Sequence, residues 1–391
     1  MSETWRRKAY NIDALRGLAR GQLPKPVFDF GDGGAEDERT LRRNEGAFDD
    51  YLLVPEPLGG AAARDLSIEL FGTRLELPVI VGPTGLSGLF WPDGERATAR
   101  ATAAAGTAFC LSHGSTCTLE ELAGTGAAPR WIQVFIYRDR DFTEELTERA
   151  AAADYDALVL TIDNQLLGNR ERDVRNGFAI PPNFGAAEVA GMITKAPWLW
   201  RMRGEFRRMT FGNYVRPGEK SDLKSIAGRM SELLDPGMNW DDVAWLRKIW
   251  KKPLILKGIL SPDEAEKALD HGVDAIVVSN HGGRQLDGAI ASFDALPDII
   301  ARIDGRMPVL MDGGIRRGTD VLKALALGAT ACLLGRPQLW GVSVAGQAGV
   351  EHMLGIYRRE LDIAMGLCGL TETADITPAI LRHMGRLPEN L

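Results

Sequence analysis

The stretch Ser279-Asn280-His281-Gly282-Gly283-Arg284-Gln285-Leu286-Asp287 places an imidazole three residues before a guanidinium. An imidazole takes up a proton near neutral pH, and an arginine holds an anionic substrate through a two-pronged hydrogen bond. Arg170 offers a second clamp of the same kind. Lys257 ends the aliphatic run Leu254-Ile255-Leu256, where an ammonium could either stabilise negative charge or pair with Asp163. Two glycine-containing stretches, Asp312-Gly313-Gly314-Ile315-Arg316-Arg317-Gly318 and Leu334-Gly335-Arg336, suit a phosphate. Glycines let backbone N–H groups approach the oxygens, and arginines add charge-assisted bonds. His113, directly after Ser112, is expected to face the same site, whereas His271, His352 and His383 fall on helix ends or helical stretches and read as structural.

These groups need a scaffold that brings them to one place. Short apolar runs rich in β-branched residues alternate with amphipathic or alanine-rich stretches along most of the chain. The pattern predicts strands at 78–82, 108–112, 131–135, 157–161, 253–257, 275–279, 309–312 and 331–334. Helices are expected at 95–105, 144–153, 262–271, 319–327 and 350–365. Eight strands joined by crossover helices predict an α/β fold, the closed parallel (β/α)8 or TIM barrel. The open doubly wound sheet is the weaker choice, because Gly82-Pro83-Thr84-Gly85-Leu86-Ser87-Gly88 lacks the glycine spacing of a dinucleotide fingerprint. Barrel enzymes work at the C-terminal ends of their strands. Here those ends read Thr84, Ser112, Gln133, Thr161 with Asp163, Lys257, His281 with Arg284, Asp312-Gly313-Gly314, and Gly335-Arg336.

One barrel domain accounts for most of the 391 residues. It occupies 78–163 and 253–365, with 1–77 as an N-terminal helical cap over one end and 164–252 as a long insertion after the fourth strand. Composition excludes several functions. No apolar run reaches the ~20 residues of a spanning helix, and the first residues carry no signal-like apolar stretch. A formal net charge of -7 gives no long-range attraction for nucleic acid. The four cysteines form no C-x-x-C pair and no cluster with histidine, so neither a metal site nor a disulfide framework is expected. A cytoplasmic enzyme is the expectation. Within the insertion, 187–214 carries Met192, Trp198, Trp200, Met202, Phe206, Met209 and Phe211 beside Lys195, Arg201, Arg203, Arg207 and Arg208. Two uses fit such a segment: a lid packed on the barrel rim, or a peripheral contact with the inner face of a membrane.

The motifs Leu23-Pro24-Lys25, Gly33-Gly34-Ala35-Glu36-Asp37, Gly82-Pro83-Thr84-Gly85, Arg170-Glu171-Arg172-Asp173, Ser279 through Asp287, and Asp312 through Ala329 resemble those of the FMN-dependent 2-hydroxy acid oxidases and dehydrogenases. The resemblance runs over roughly residues 10–370 and is densest with the membrane-associated mandelate dehydrogenases of that family. It implies FMN as cofactor and oxidation of an (S)-2-hydroxy acid to the keto acid, with electrons passing to flavin N5. It implies His281 as the base, Asp163 as the stabiliser of its imidazolium, and Arg170 and Arg284 as carboxylate clamps. Lys257 would lie near the flavin N1–O2 edge. Pro83, Thr84, Gly85, Ser112, Gln133, Thr161 and Ser279 would surround the isoalloxazine. Asp312, Gly313, Gly314, Arg316, Gly335 and Arg336 would hold the ribityl phosphate. Gly85, where oxidases of the family carry alanine, leans toward a dehydrogenase. The electron acceptor stays open between oxygen, a quinone and another carrier, and a homo-oligomer, often a tetramer, is implied.

Three positions depart from the family pattern. Phe30 and Phe135 stand where tyrosines help bind or polarise the substrate, and each lost hydrogen bond to a charged group costs about 1.5–3 kcal/mol. Gly114 stands where short-chain enzymes carry a large aromatic, which implies room for a bulky substrate. A mandelate-like aromatic hydroxy acid is the expected substrate. The alternative is an amine, ester, amide or biosynthetic intermediate that needs no tyrosine pair.

Overall fold

The computed structural model describes residues 4–178, 185–205, 209, 211–216 and 234–385. Eight parallel strands close a barrel in chain order: β1 (Val79–Val81), β2 (Phe109–Leu111), β3 (Arg130–Val134), β4 (Ala157–Thr161), β5 (Leu254–Ile259), β6 (Ala275–Val278), β7 (Val309–Asp312) and β8 (Ala331–Leu334). The ring shuts where β8 pairs with β1, Leu333 opposite Ile80. The predicted architecture and all eight strands are therefore present.

Strand side chains alternate between two faces. The outward row, including Val79, Leu111, Ile132, Leu158, Leu256 and Met311, packs against the surrounding helices. The inward row is Ile80, Cys110, Trp131, Val159, Ile255, Val277, Leu310 and Leu333, which fills the barrel. Moving two residues along this inward row gives Ser112, Gln133, Thr161, Lys257, Ser279, Asp312 and Gly335. The polar layer at the C-terminal rim is thus the next storey of the hydrophobic core.

The expected helices form as Gly94–Ala104, Arg140–Ala152, Pro262–Asp270, Gly318–Ala326 and Gln347–Leu367. Arg140–Ala152 starts four residues earlier than predicted because the Asp139 carboxylate accepts from the Phe142 N–H at 3.1 Å and caps it.

Three details differ from the sequence reading. The N-terminal segment covers both ends of the barrel rather than one. Helices Lys25–Asp32 and Arg39–Gly46 sit over the C-terminal rim, where the Ala35 N–H donates to the Gly283 carbonyl at 2.8 Å. The hairpin Ile68–Leu70/Thr73–Leu75 closes the other end by adding Leu70 and Leu75 to the interior cluster beside Ala108, Trp131 and Ala157. Second, His383 lies on the strand Leu381–His383, paired with Tyr51–Leu53, instead of on a helix. Third, Lys257 pairs with Asp312 at 3.0 Å, not with Asp163. Both carboxylates neighbour the lysine, but Asp163 is turned to His281.

Candidate active site

A cavity of about 450 Å³ opens at the C-terminal rim. Of the residues singled out by sequence, Phe30, Pro83, Thr84, Gly85, Ser112, Gly114, Gln133, Phe135, Thr161, Arg170, Lys257, His281, Arg284, Asp312, Gly313, Gly314, Arg316, Gly335 and Arg336 line it. Asp163 and Ser279 stand behind that lining and act on it. His113 does not reach it.

The loop after β6 carries the imidazole. His281 takes a left-handed backbone, φ 57°, followed by Gly282 and Gly283 at 62° and 70°. A non-glycine residue holds that conformation only where its surroundings compensate the strain. Ser279 contributes by accepting from the His281 N–H at 3.1 Å while also accepting from Lys257 Nζ at 2.8 Å. The Asp163 carboxylate meets His281 Nδ1 at 2.8 Å. Held so, Nδ1 carries the proton and Nε2 is the basic nitrogen. Burial lowers the His281 pKa by more than the Asp163 charge raises it. Burial opposes the Asp163 charge, yet His281 and Lys257 together hold that carboxyl below its ordinary range. The resting pair is a neutral imidazole on a carboxylate.

Arginines gather around it. Arg284 donates from Nη1 to the carbonyls of Phe30 and Gly33, at 2.7 and 2.9 Å, and lies over the Phe30 ring. Arg170 donates weakly to Gln285 Oε1 at 3.3 Å and to the Arg284 carbonyl at 3.4 Å. Burial pulls both guanidinium pKa values down, and for Arg284 the neighbouring Arg170 and Arg336 add to it. Burial, with Arg316 beside it, brings Arg336 to about 10. Several cations facing one cavity are stabilised by an anion more than by water.

The residues also fit FMN. Gly313 and Gly314 have φ of 96° and 78°, and a Cβ on Gly314 would fall 1.8 Å from the Asn44 carbonyl oxygen, so only glycine lets the loop pass there. Arg316 and Arg336 line the cavity beside that loop, where they could meet a phosphate. Asp312 keeps Oδ2 on Lys257 while its buried Oδ1 has no protein donor, which suits a ribityl hydroxyl. Burial opposes the Lys257 ammonium, but Asp312 and Asp163 outweigh it and raise its pKa, so a cation is fixed in the cavity wall. Thr84 accepts from Gln338 Nε2 at 2.6 Å. Gln133 Oε1 accepts from the Ser112 hydroxyl at 3.3 Å and from the His113 N–H at 3.2 Å. A Cβ at Gly85 would approach the Gly114 carbonyl oxygen to 3.3 Å, so alanine there needs a small shift.

Two expectations about the substrate end change. His113 is fully buried among Phe135, Tyr137, Phe142 and Tyr214, with no partner on either ring nitrogen, and burial pulls its pKa down to about 3. The strand ends at Leu111, and the following turn aims residue 113 away from the inward face that Ser112 occupies. The room inferred at Gly114 is partly taken by Tyr214, whose hydroxyl would lie 3.3 Å from a Cβ placed there. Tyr214, Phe178, Asp173, Asn164 and Leu167 line the cavity and escaped the sequence reading, and Phe211, named there only as part of a rim-packing segment, lines it too. All come from the insertion after β4, where no strand period fixes which side chain points inward; Asp173 carried a signal in the Arg170–Asp173 motif, and Phe211 one in the aromatic run.

The inner face of the insertion packs on the barrel. Trp198 is buried and donates Nε1 to the Leu89 carbonyl at 3.0 Å, Met202 and Phe211 are buried, and Arg201 stacks on Trp91. Its outer face exposes Ile193 and Trp200, the latter covered by Arg203 at 3.7 Å. Phe206, Arg207 and Arg208 lie outside the described residues. Among the described residues no helix is long and apolar enough to cross a membrane.

A parallel barrel with a His–Asp pair, an arginine cluster and a glycine-built phosphate loop at one rim defines a flavin-dependent oxidoreductase of CH–OH groups. The chain belongs to the FMN-dependent dehydrogenase family, whose model matches residues 19–383. It is 43% identical to an L-lactate oxidase of Nostoc sp., over 95% of this chain and 97% of that protein. It is 40% identical to 2-hydroxyacid oxidase 1 of Homo sapiens, over 93% and 94%. The crystal structure of the monotopic membrane protein (S)-mandelate dehydrogenase superposes with a TM-score of 0.91 at 36% identity, covering 96% of this chain and 99% of that one. The protein is therefore an FMN-dependent 2-hydroxy acid oxidase or dehydrogenase.

Proposed function

We propose that the substrate is a bulky, aromatic (S)-2-hydroxy acid of the mandelate type. The observation that carries this reading is the aromatic lining of the cavity: Phe135, Phe178, Phe211 and Tyr214 line it with His281, and Phe30 stacks on Phe178 at 4.6 Å. Such rings favour an aryl group through area burial and offset stacking. Tyr214 supports the reading further, because it returns a phenol to a pocket whose positions 30 and 135 carry none.

Bound FMN supplies a two-electron acceptor for the oxidation of hydroxy acid to keto acid. The chain supplies the rest. Arg170 and Arg284 hold the carboxylate and so fix the reacting carbon beside His281. Nε2 of His281 accepts the substrate proton, and Asp163 stabilises the imidazolium that results. Lys257, fixed in the cavity wall by Asp312, would offer a bound flavin a positive charge. The test is anaerobic mixing of purified yellow protein with (S)-mandelate and with L-lactate while following the flavin band. Faster bleaching by mandelate supports the proposal. Bleaching by neither acid favours the second reading, a non-acid substrate, which the missing hydroxyls at Phe30 and Phe135 recommend.

The exposed Ile193 and Trp200, next to Arg203, support a peripheral membrane contact at the outer face of the insertion. Aromatic and aliphatic side chains ringed by cations suit the headgroup boundary.

A further inference from the structure

We propose that Asn44 and Asn280 form a positioning pair that holds the His281 turn in its strained backbone and sets it in register with the phosphate loop. Asn44 belongs to the cap helix Arg39–Gly46, more than two hundred residues away in sequence, and is 1% exposed. Asn280 immediately precedes His281. The two amides face each other reciprocally: Asn44 Nδ2 donates to Asn280 Oδ1 at 2.8 Å, and Asn280 Nδ2 donates to Asn44 Oδ1 at 2.8 Å.

Nearly every other valence is used to fix the turn. Asn280 Oδ1 also accepts the Gly283 N–H at 3.0 Å, bridging the two ends of the left-handed segment. Asn280 Nδ2 reaches the Ile290 carbonyl at 2.9 Å, and the Asn280 N–H donates to Ser292 Oγ at 3.2 Å. Asn44 Oδ1 accepts the Ser292 N–H at 3.3 Å. Three successive residues at positive φ would relax without such bonds, and relaxation would swing the imidazole away from Asp163.

Asn44 has a second contact that Asn280 lacks. The backbone carbonyl of residue 44, which every substitution keeps, blocks any Cβ at Gly314, while the Asn44 side-chain amide itself lies 3.4 Å from the corresponding position at Gly313. One cap residue therefore touches both the loop offered to the cofactor phosphate and the loop that carries the base. The pair is a positioning device rather than a catalytic group, since neither amide lines the cavity.

The inference rests on the hydroxy acid reading for its kinetic arm only. Asn44→Ala, Asn280→Ala and the double variant are compared as FMN-loaded protein in anaerobic stopped flow with (S)-mandelate, and with L-lactate if mandelate does not reduce the parent. Each single variant is expected to lower the limiting rate of flavin reduction about 10- to 100-fold. The half-saturating acid concentration should stay within about threefold, because Arg170 and Arg284 are untouched. The double variant should be no slower than the worse single one, as partners in one interaction require. Flavin-fluorescence titration of the apoproteins adds a readout independent of turnover: FMN affinity falls in Asn44→Ala and holds in Asn280→Ala. Losses that multiply, a limiting rate within about twofold of the parent, or equal weakening of FMN in both variants would each overturn the proposal. If Asn44→Ala does not fold, Asn44→Ser, which removes the amide without adding a charge, is held to the same criteria. Failure of both acids to reduce the parent would reject the substrate reading while the FMN titration still judges the pair.

Discussion

Replacing Asp163 with asparagine tests how the imidazole works. The carboxylate meets His281 Nδ1 at 2.8 Å and does not line the cavity, so the change leaves the shape of the site alone and removes one charge. Its effect should fall on the state in which His281 has taken the proton. The centre of the imidazolium charge lies about 4 Å from the carboxylate, and unit charges at that distance attract by about 4 kcal/mol at an effective dielectric near 20. Losing that attraction slows the proton-transfer step about 1000-fold. The asparagine amide can also donate to Nδ1 and so favour the wrong tautomer, which acts in the same direction. The assay is the limiting rate of anaerobic flavin reduction by (S)-mandelate in Asp163→Asn, beside the absorption spectrum of the bound flavin. FMN content and half-saturating concentration should match the parent while the limiting rate collapses. A rate within about tenfold of the parent, or a loss confined to the half-saturating concentration, would refute the reasoning, because either would mean that no imidazolium forms against Asp163.

Further outcomes follow from the same geometry. Phe135→Tyr should raise hydroxy acid turnover by restoring a donor near the substrate, and Tyr214→Phe should lower it about 10-fold, each measured by steady-state kinetics with (S)-mandelate. His113→Leu should flatten the dependence of stability on pH. Burial brings the folded pKa of His113 to about 3 from its ordinary 6.5, so within that window the unfolded chain binds more protons and parent stability falls as pH falls. Urea midpoints at neutral and at acidic pH would show it, and equal pH slopes for parent and variant would contradict it. Lys257→Met should leave Asp312 buried without its partner, weaken FMN binding and cost about 3–5 kcal/mol of stability; unchanged thermal and flavin titrations would count against that pairing. Vesicle sedimentation with anionic lipid should pull down the parent and release a Ile193→Ser/Trp200→Ser variant; equal binding of both would remove the membrane contact.

Sequence alone determined the barrel and the composition of its rim. A strand buried on both faces reads as a short aliphatic run, and the first polar residue after each run must emerge at the C-terminal end, because the two-residue period leaves it nowhere else to point. That local rule brought Ser112, Gln133, Thr161, Lys257, Ser279, Asp312 and Gly335 to one place before any contact was known. Tertiary structure decided what local periodicity cannot carry. Tyr214 occupies the space beside Gly114 from an insertion that has no strand register. Lys257 pairs with Asp312 rather than Asp163 because the Asp163 carboxylate is turned to His281. His113 is enclosed by Phe142 and Tyr214, which come from a helix and from the insertion. Asn44 reaches Asn280 across more than half the chain. Each of these depends on distances between segments far apart in sequence, and such distances are fixed only when the core that closes the barrel has packed.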